Sequence, residues 1–279
     1  MSTPLLVSTL APEANIEAFE IETQPGKTIR YLITSPELNM KRLLASGLDK
    51  IFQLGPVFRK GERGRLHLPE FTMLEWYRKN CDYKDLMKDC EKLLPCASQA
   101  AGNSSQSVNL DGCQISLRPP YHVVHVDEAF QKWAGWSPLE ICDPDRFDHD
   151  MAAIIEPNLP TDKPVFLFGY PAWQASLARL SPRNRKVAER VEFYVKGIEL
   201  ANGFSELVDR KEQEERFEKE TKKMLEKGIA PYPRQQFFFD ALDLLDECAG
   251  MALGVDRLIM VLTGAEKIDD VVAFTPEEC

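Results

Sequence analysis

No stretch of this sequence approaches the ~18 consecutive apolar residues that a membrane-spanning helix requires. Its opening, MSTPLLVSTLAPEANIEAFE, lacks the basic start and apolar core of a secretory signal. These absences lead us to expect a soluble, cytoplasmic protein with no membrane partner. Cysteine argues the same way. The seven thiols, Cys81, Cys90, Cys96, Cys113, Cys142, Cys248 and Cys279, are odd in number and scattered, with no Cys-x-x-Cys pair, so neither a disulfide framework nor a zinc site is indicated. Histidine is scarce at four residues, and His122 and His125 in YHVVHVD have no matching ligand set. An excess of positive charge is also missing. With 34 basic and 44 acidic residues the net charge is −10, which argues against broad binding to a nucleic-acid backbone.

What the chain does have is an ordinary globular composition, 44% hydrophobic and 28% charged over 279 residues, enough to bury a substantial core. TSPELNMKRLLASG predicts a helix with Ser35 as N-cap, Pro36 in the first position and Gly47 as the stop. IFQLGPVFR reads as a strand interrupted at Gly55-Pro56. CDYKDLMKDCEKLL is a helix capped by Asp82, and residues 97–109 read as a small, polar linker. The Pro-rich stretch 120–165 yields only a short helix near Asp127 to Trp133. VFLFGYP is a buried strand, and VEFYVKGIELANGFSEL is a long β region in which Val191, Phe193 and Val195 alternate. DRKEQEERFEKETKKMLEKG is a surface helix with a narrow buried stripe of Phe217, Met224 and Leu225, and GVDRLIMVLTG is a last helix bounded by glycines. No internal repeat is visible, and the strands come as hairpin-like neighbours, which implies a mixed α+β domain.

Chemistry concentrates in three places. In GPVFRKGERGRLHLPEFTMLEWYR, strand alternation puts Phe71, Met73, Glu75 and Tyr77 on one face. A core face would leave Glu75 a buried, unpaired charge, at a cost beyond the ~2–7 kcal/mol of a neutral polar group. A cleft is the alternative. Arg59 ends the preceding strand, Lys60, Arg63 and Arg65 follow on the loop, and guanidinium forks facing an aromatic ring suit a nucleoside triphosphate. A strand hairpin with a solvated basic loop is an equally open reading of this segment alone. In GIELANGFSEL, Glu199 and Glu206 flank Asn202, and straight-strand alternation would put the two carboxylates on opposite faces. Asn202-Gly203 is a turn or bulge signal that can bring them round to hold Mg²⁺ together. An Asn-Gly hairpin with exposed glutamates competes with that reading. In AGMALGVDRLIM, small residues allow close backbone approach and Arg257 projects from the first turn of a helix, where phosphate is favoured, although a capped helix packed on a sheet explains the glycines equally well and leaves Arg257 without a task.

Together these motifs carry a resemblance. FRKGERGRLHLPEFTMLEWYR and GMALGVDRLIM resemble the second and third signatures of class II aminoacyl-tRNA synthetases. With TSPELNMKRLL and GIELANGFSEL added, the chain is similar to lysyl-tRNA synthetase and most closely to its short paralogues, the elongation factor P lysine ligase family. The resemblance runs from about Thr3 to the C-terminus. It implies an α+β class II synthetase-like antiparallel sheet flanked by helices, on which ATP with Mg²⁺ and a lysine-like amino acid form an adenylate. Arg59 and Arg257 would be catalytic, on the α- and γ-phosphates. The ATP site would comprise Arg59, Lys60, Gly61, His67, Phe71, Glu199, Leu200, Gly254 and Arg257. Ser35, Pro36, Glu37, Glu75, Tyr77, Asn202, Glu206 and Ala252 would surround the amino acid, and Glu199 and Glu206 would hold the metal. The implied substrate is lysine or (R)-β-lysine, the implied acceptor a lysine side chain of elongation factor P, and the implied assembly a homodimer.

Residues 1–279 read as a single catalytic domain without an anticodon-binding domain, so tRNA is disfavoured as a partner. Ala252 stands where lysyl-tRNA synthetases have glycine, as it does in the ligase family. The chain departs from the family pattern in starting after the first signature, in a shorter segment between Trp136 and Lys163, in Gly61 where a glutamate is usual, with Glu62 one place off, and in Leu68 where an asparagine contacts ATP. Three readings follow: a ligase acting on elongation factor P, a tRNA-acting synthetase relative, and a degenerate paralogue that binds amino acid or nucleotide without catalysis.

Overall fold

A computed structural model describes residues 1–24, 29–103 and 106–279. Its elements in chain order are β1 (Leu6–Val7), β2 (Glu20–Glu22), β3 (Ile29–Leu32), α1 (Glu37–Ala45), β4 (Lys50–Phe58), β5 (Glu70–Lys79), α2 (Tyr83–Ala100), β6 (Ser107–Leu110), β7 (Cys113–Ser116) and β8 (His122–His125). There follow α3 (Val126–Ala129), α4 (Pro144–Asp150), α5 (Glu156–Asn158), β9 (Val165–Phe168), β10 (Arg190–Val195), β11 (Ile198–Ser205), α6 (Arg210–Glu226), α7 (Gln236–Leu242), β12 (Cys248–Gly254) and α8 (Val255–Thr263). The central sheet has the order β4-β5-β12-β11-β10-β9-β8. Its pairings are antiparallel except β8 with β9, which are parallel and joined by the helical segment containing α3, α4 and α5. An antiparallel sheet can carry a packed face and a wet one, with side chains alternating between them.

The packed face lies against α2 and α8. Leu86, Cys90 and Leu94 of α2 and Leu258 and Val261 of α8 are buried against Val191, Phe193, Val195, Ala249, Met251 and Leu253 of the strands. Asp82 is the cap as expected, accepting from the amides of Lys84 and Asp85, and the Asp85 side chain completes a capping box. The helix it starts runs through Pro95 to Ala100 and takes the first residues, 97–100, of the expected linker, whose last residues belong to β6, and Ser104 and Ser105 of that linker lie outside the described residues. β4 passes through Gly55-Pro56 without a break, because it is an edge strand and Pro56 has no outer neighbour awaiting an amide proton. On α6 the buried stripe is Gln213, Phe217 and Met224, and Leu225 is exposed, one residue past the buried face. α1 begins at Glu37, one residue later than expected, with Pro36 in the cap position.

The turn between β10 and β11 is Lys196-Gly197, both with positive φ, the geometry of a tight hairpin. Asn202-Gly203 is instead mid-strand, paired with Glu192 and Val191. The expected bulge exists two residues earlier. Phe193 pairs with Ala201 and Tyr194 with Glu199, which leaves Leu200 unmatched. That extra residue reverses the alternation. Glu199 before it and Asn202, Phe204 and Glu206 after it all turn toward the open face.

Removing a side chain from the packed face tests this layering. Leu86→Ala, at a position with no solvent exposure, should lower stability by about 2–5 kcal/mol in urea denaturation. Leu54→Ala, on the edge strand at 57% exposure, should change it by less than about 0.5 kcal/mol.

Candidate active site

The open face of the sheet floors a cleft of about 1270 Å³, more than the ~300–1,000 Å³ of most single small-ligand sites. Strand register arranges its side chains in transverse rows. Glu75, Ala252, Asn202 and Glu192 stand abreast on β5, β12, β11 and β10, and Tyr77, Gly250, Phe204 and Arg190 form the next row. Gly250 has to be glycine. A Cβ there would lie 2.1 Å from Tyr77 Cε1 and 2.6 Å from Glu206 Oε1, so those side chains rest directly on backbone.

One end of the cleft is acidic. Glu75, 1% exposed, accepts from the Ser35 hydroxyl at 2.6 Å and the Tyr77 hydroxyl at 2.8 Å. Burial, helped by nearby Glu37, pushes its carboxyl up to about 7. Ser35 also accepts from the Glu37 amide at 3.0 Å, so the residue expected to cap the helix orients a site carboxylate as well. Lys41 lies between two carboxylates, its Nζ 2.6 Å from Glu37 Oε1 and 2.6 Å from Glu206 Oε2. Burial works against its ammonium, but Glu206 and Glu37 outweigh that and hold its pKa above the ordinary lysine value. Glu206 is itself pushed up to about 8 by burial, because it shares the one ammonium with Glu37 and has Glu75 nearby.

The other end is rich in arginine. Arg59 lines the cleft with its guanidinium carbon 5.2 Å from the centroid of the Phe71 ring, and its Nε is buried without a hydrogen-bond partner among the described residues. Arg257, in the first turn of α8, donates to the carbonyls of Leu66 at 3.0 Å and Glu199 at 2.9 Å and to His67 Nε2 at 2.7 Å. Burial and the Arg257 charge lower the His67 pKa, which suits it to accept that bond as the neutral ring. Asp256 Oδ2 accepts from the Thr72 amide at 2.7 Å, tying α8 to β5. Burial and then Glu192 push Glu199 up to about 7.

Most of the residues singled out from the sequence line this one cleft: Ser35, Glu37, Arg59, His67, Phe71, Glu75, Tyr77, Glu199, Leu200, Asn202, Glu206, Ala252, Gly254 and Arg257. Others go elsewhere. Lys60 is exposed and paired with Glu17. Arg63 bridges to Asp269 and Glu277, and Arg65 donates to the Glu266 carbonyl, so the loop's basic run serves largely to bind the C-terminal segment. Pro36 and Gly61 do not line the cleft. Gly61 instead supplies a positive φ of 78° that lets Glu62 turn in, 3.7 Å from Arg59. Leu68 lines the cleft and also packs with Met260 and Ile268.

The expected metal pair is not assembled. At ~3.3 Å per residue, Glu199 and Glu206 stand roughly 20 Å apart along the strand, and Glu206 is engaged by Lys41. The neighbour of Glu199 is Glu192, which sequence reasoning missed although it alternates with Val191 and Phe193 on β10. Glu192 accepts from Arg190 Nη2 and the Tyr194 hydroxyl, each at 2.6 Å, and from Asn202 Nδ2 at 3.3 Å. Asn202 Oδ1 is buried without a hydrogen-bond partner among the described residues. No group of three or more metal-ligating side chains occurs among the described residues. Two carboxylates and an unpaired amide oxygen nevertheless suit Mg²⁺, which binds through one or two carboxylates and completes its shell with water and phosphate. Lys41 was the other omission, although its spacing from Glu37 puts both on one helix face.

Comparison with known proteins adds to this geometry. Residues 1–278 match the family described as tRNA synthetases class II (D, K and N). The elongation factor P–(R)-beta-lysine ligase of Salmonella arizonae is 40% identical over 294 residues, covering 95% of this chain and 85% of the relative. The proteins of the same name from Salmonella heidelberg and Salmonella agona are each 41% identical with the same coverage.

The buried carboxyl at Glu75 makes a testable demand. A group whose folded pKa exceeds its unfolded value contributes stability below the unfolded pKa and loses it as pH rises through the folded one. Glu75 therefore costs stability as pH climbs from 4.5 to about 7. Glu75→Gln should gain on the wild type by up to about 3 kcal/mol between pH 5 and pH 8 in denaturation midpoints. Parallel curves for the two proteins would refute the assignment.

Proposed function

Because the chain belongs to the class II tRNA synthetase (D, K and N) family, we propose that it activates lysine or (R)-β-lysine with ATP and transfers the aminoacyl group to a lysine side chain of elongation factor P. The observation that carries this reading is the polarity of the cleft. Carboxylates at one end attract a substrate with two ammonium groups, arginines at the other attract a triphosphate, and the two substrates meet between them.

In the first step a carboxylate oxygen of the amino acid attacks the α-phosphorus, forming the acyl-phosphate bond as the α–β bridge breaks and pyrophosphate leaves. Arg59 lies beside the Phe71 ring, so a base stacked on that ring would bring its α-phosphate within reach of the guanidinium, which would stabilise the charge developing there. Arg257, braced by Leu66, Glu199 and His67, would receive the terminal phosphate. Glu192 and Glu199 would hold Mg²⁺, which when bound neutralises phosphate charge. In the second step the neutral acceptor amine attacks the acyl carbon, an amide forms, and AMP and a proton are released. Ala252 stands between Glu75 and Asn202 in the transverse row, where one methyl narrows the floor. Discrimination between lysine isomers at the ~1–3 kcal/mol typical of a methylene fits that position. We read the chain as a single catalytic domain of a cytoplasmic homodimer, in keeping with its family.

Amino-acid-dependent ATP–pyrophosphate exchange tests the proposal. Exchange should appear with (R)-β-lysine or L-lysine and not without amino acid, and AMP release should then depend on elongation factor P rather than on tRNA. Arg59→Gln should lower the exchange rate about 100- to 1,000-fold, the loss of one transition-state donor. A folded protein that binds ATP but exchanges with neither isomer would overturn the enzymatic reading, and tRNA-dependent turnover would reassign the acceptor.

A further inference from the structure

The buried ammonium of Lys41 has no role in adenylation chemistry, and its setting asks for one. A lysine and a glutamate one helical turn apart on a surface contribute little. This pair is different because Lys41 has 1% of its side chain exposed and reaches across to Glu206 on another element. Glu37 from α1 and Glu206 just beyond β11 face it, Cys248 of β12 lies near it, and Glu75 and Tyr77 from β5 lie near those two carboxylates. Glu206 Oε2 is on the ammonium, while Oε1 is buried without a hydrogen-bond partner among the described residues.

We propose that Lys41 is a positioning residue that determines specificity. Its fixed ammonium holds Glu37 and Glu206 in orientation and cancels one negative charge, so that the pocket accepts the two ammonium groups of a diamino acid and no more. This rests on the proposed amino-acid pocket. With Glu75 and Glu206 drawn into their ionised forms by the arriving ammonium groups, three carboxylates, Glu37, Glu75 and Glu206, less the one ammonium of Lys41, leave two negative charges. A diamino acid brings two positive charges to that end while its carboxylate points toward ATP, so the buried charge closes to zero. Uncompensated buried charge is strongly disfavoured, and a pocket without Lys41 would keep one surplus carboxylate after the substrate had bound. A second effect is geometric. With one oxygen of Glu206 held by Lys41, the other is the one left to receive a substrate ammonium.

The test is ATP–pyrophosphate exchange with lysine isomers in the wild type, Lys41→Ala and Lys41→Met, after thermal melting and ATP binding have established that each variant is folded. Both variants should raise the KM for the lysine substrate about 30-fold or more, the loss of charge-assisted bonds, while the KM for ATP stays within about twofold. Lys41→Met keeps the volume without the charge, so it reads the electrostatic role even if Lys41→Ala does not fold. In Lys41→Ala, n-propylammonium, which replaces the missing atoms, should restore the lysine KM saturably. The neutral isostere n-propanol should not. Rescue by propanol equal to that by propylammonium, or a Lys41→Met enzyme with wild-type KM, would overturn the proposal while leaving the pocket assignment intact. A wild-type enzyme that exchanges with no lysine isomer would overturn both.

Discussion

The rest of the cleft depends on one electrostatic constraint: a single face of a β-sheet carries Glu75, Glu192, Glu199 and Glu206, of which Glu75, Glu192 and Glu206 are buried and Glu199 is half-buried. Burying such groups costs several kcal/mol apiece unless cations or donors meet them. The fold supplies those partners from different directions. Lys41 arrives from α1 against Glu206, Arg190 comes from the same strand as Glu192, and Arg257 reaches down from the start of α8 toward Glu199. Glu75 is satisfied by hydroxyls instead, from Ser35 and Tyr77. Because the compensation differs along the floor, the cleft is polarised. Its acidic end keeps more carboxylate than ammonium, and its arginine-rich end keeps guanidinium nitrogens with donors to spare. That polarity dictates which way round two substrates can lie, before any shape complementarity is considered.

A local irregularity makes the polarity possible. On an unbroken strand, Glu199 and Glu206 would point to opposite faces, and either would then be driven into the apolar layer beneath α2 and α8. Leu200 absorbs the mismatch as a bulge, and the alternation restarts at Ala201. The cost is one unpaired residue in the middle of a sheet. Leu200 and Ala201, the two residues at the bulge, are both apolar and buried, so the break in the ladder is covered by the main core rather than by water.

How much of this could be read from the sequence follows from the range of each interaction. The face of β5, the α2 cap and the glycine-bounded α8 were legible because alternation, capping and helix stops are local. The bulge was legible in kind but displaced, since Asn-Gly marks turns strongly and here occupies a strand whose place is set by pairing with β10 and β12. The fate of the basic loop was not legible. Whether Arg63 and Arg65 face a phosphate or a carboxylate depends on a C-terminal segment more than 200 residues away, whose carboxylates and carbonyls take them up. Lys41 and Glu192 were missed for a related reason. Each sits in an unremarkable local pattern, and only the strand or helix opposite makes it part of the site.

The departures at the nucleotide end can be weighed on the same terms. A carboxylate one place later in the loop would ordinarily be on the wrong side, but Gly61, with φ at 78°, takes the backbone through the left-handed region and delivers Glu62 to the cleft beside Arg59. The substitution at 61 therefore relocates a carboxylate rather than deleting it. Leu68 is a different kind of change. Its side chain closes a small cluster with Met260 and Ile268, packing that anchors the C-terminal segment under the loop where the resemblance would place an asparagine. Recognition at this end then falls more heavily on Arg59, Phe71 and Arg257. Of these, Arg257 is the best braced, by its bonds to Leu66, Glu199 and His67, whereas at Arg59 the backbone is fixed to the Pro69 carbonyl and the guanidinium keeps donors free. A site that holds the Arg257 guanidinium rigidly keeps a large electrostatic contribution there, because preorganised charge acts on a developing charge without reorganisation.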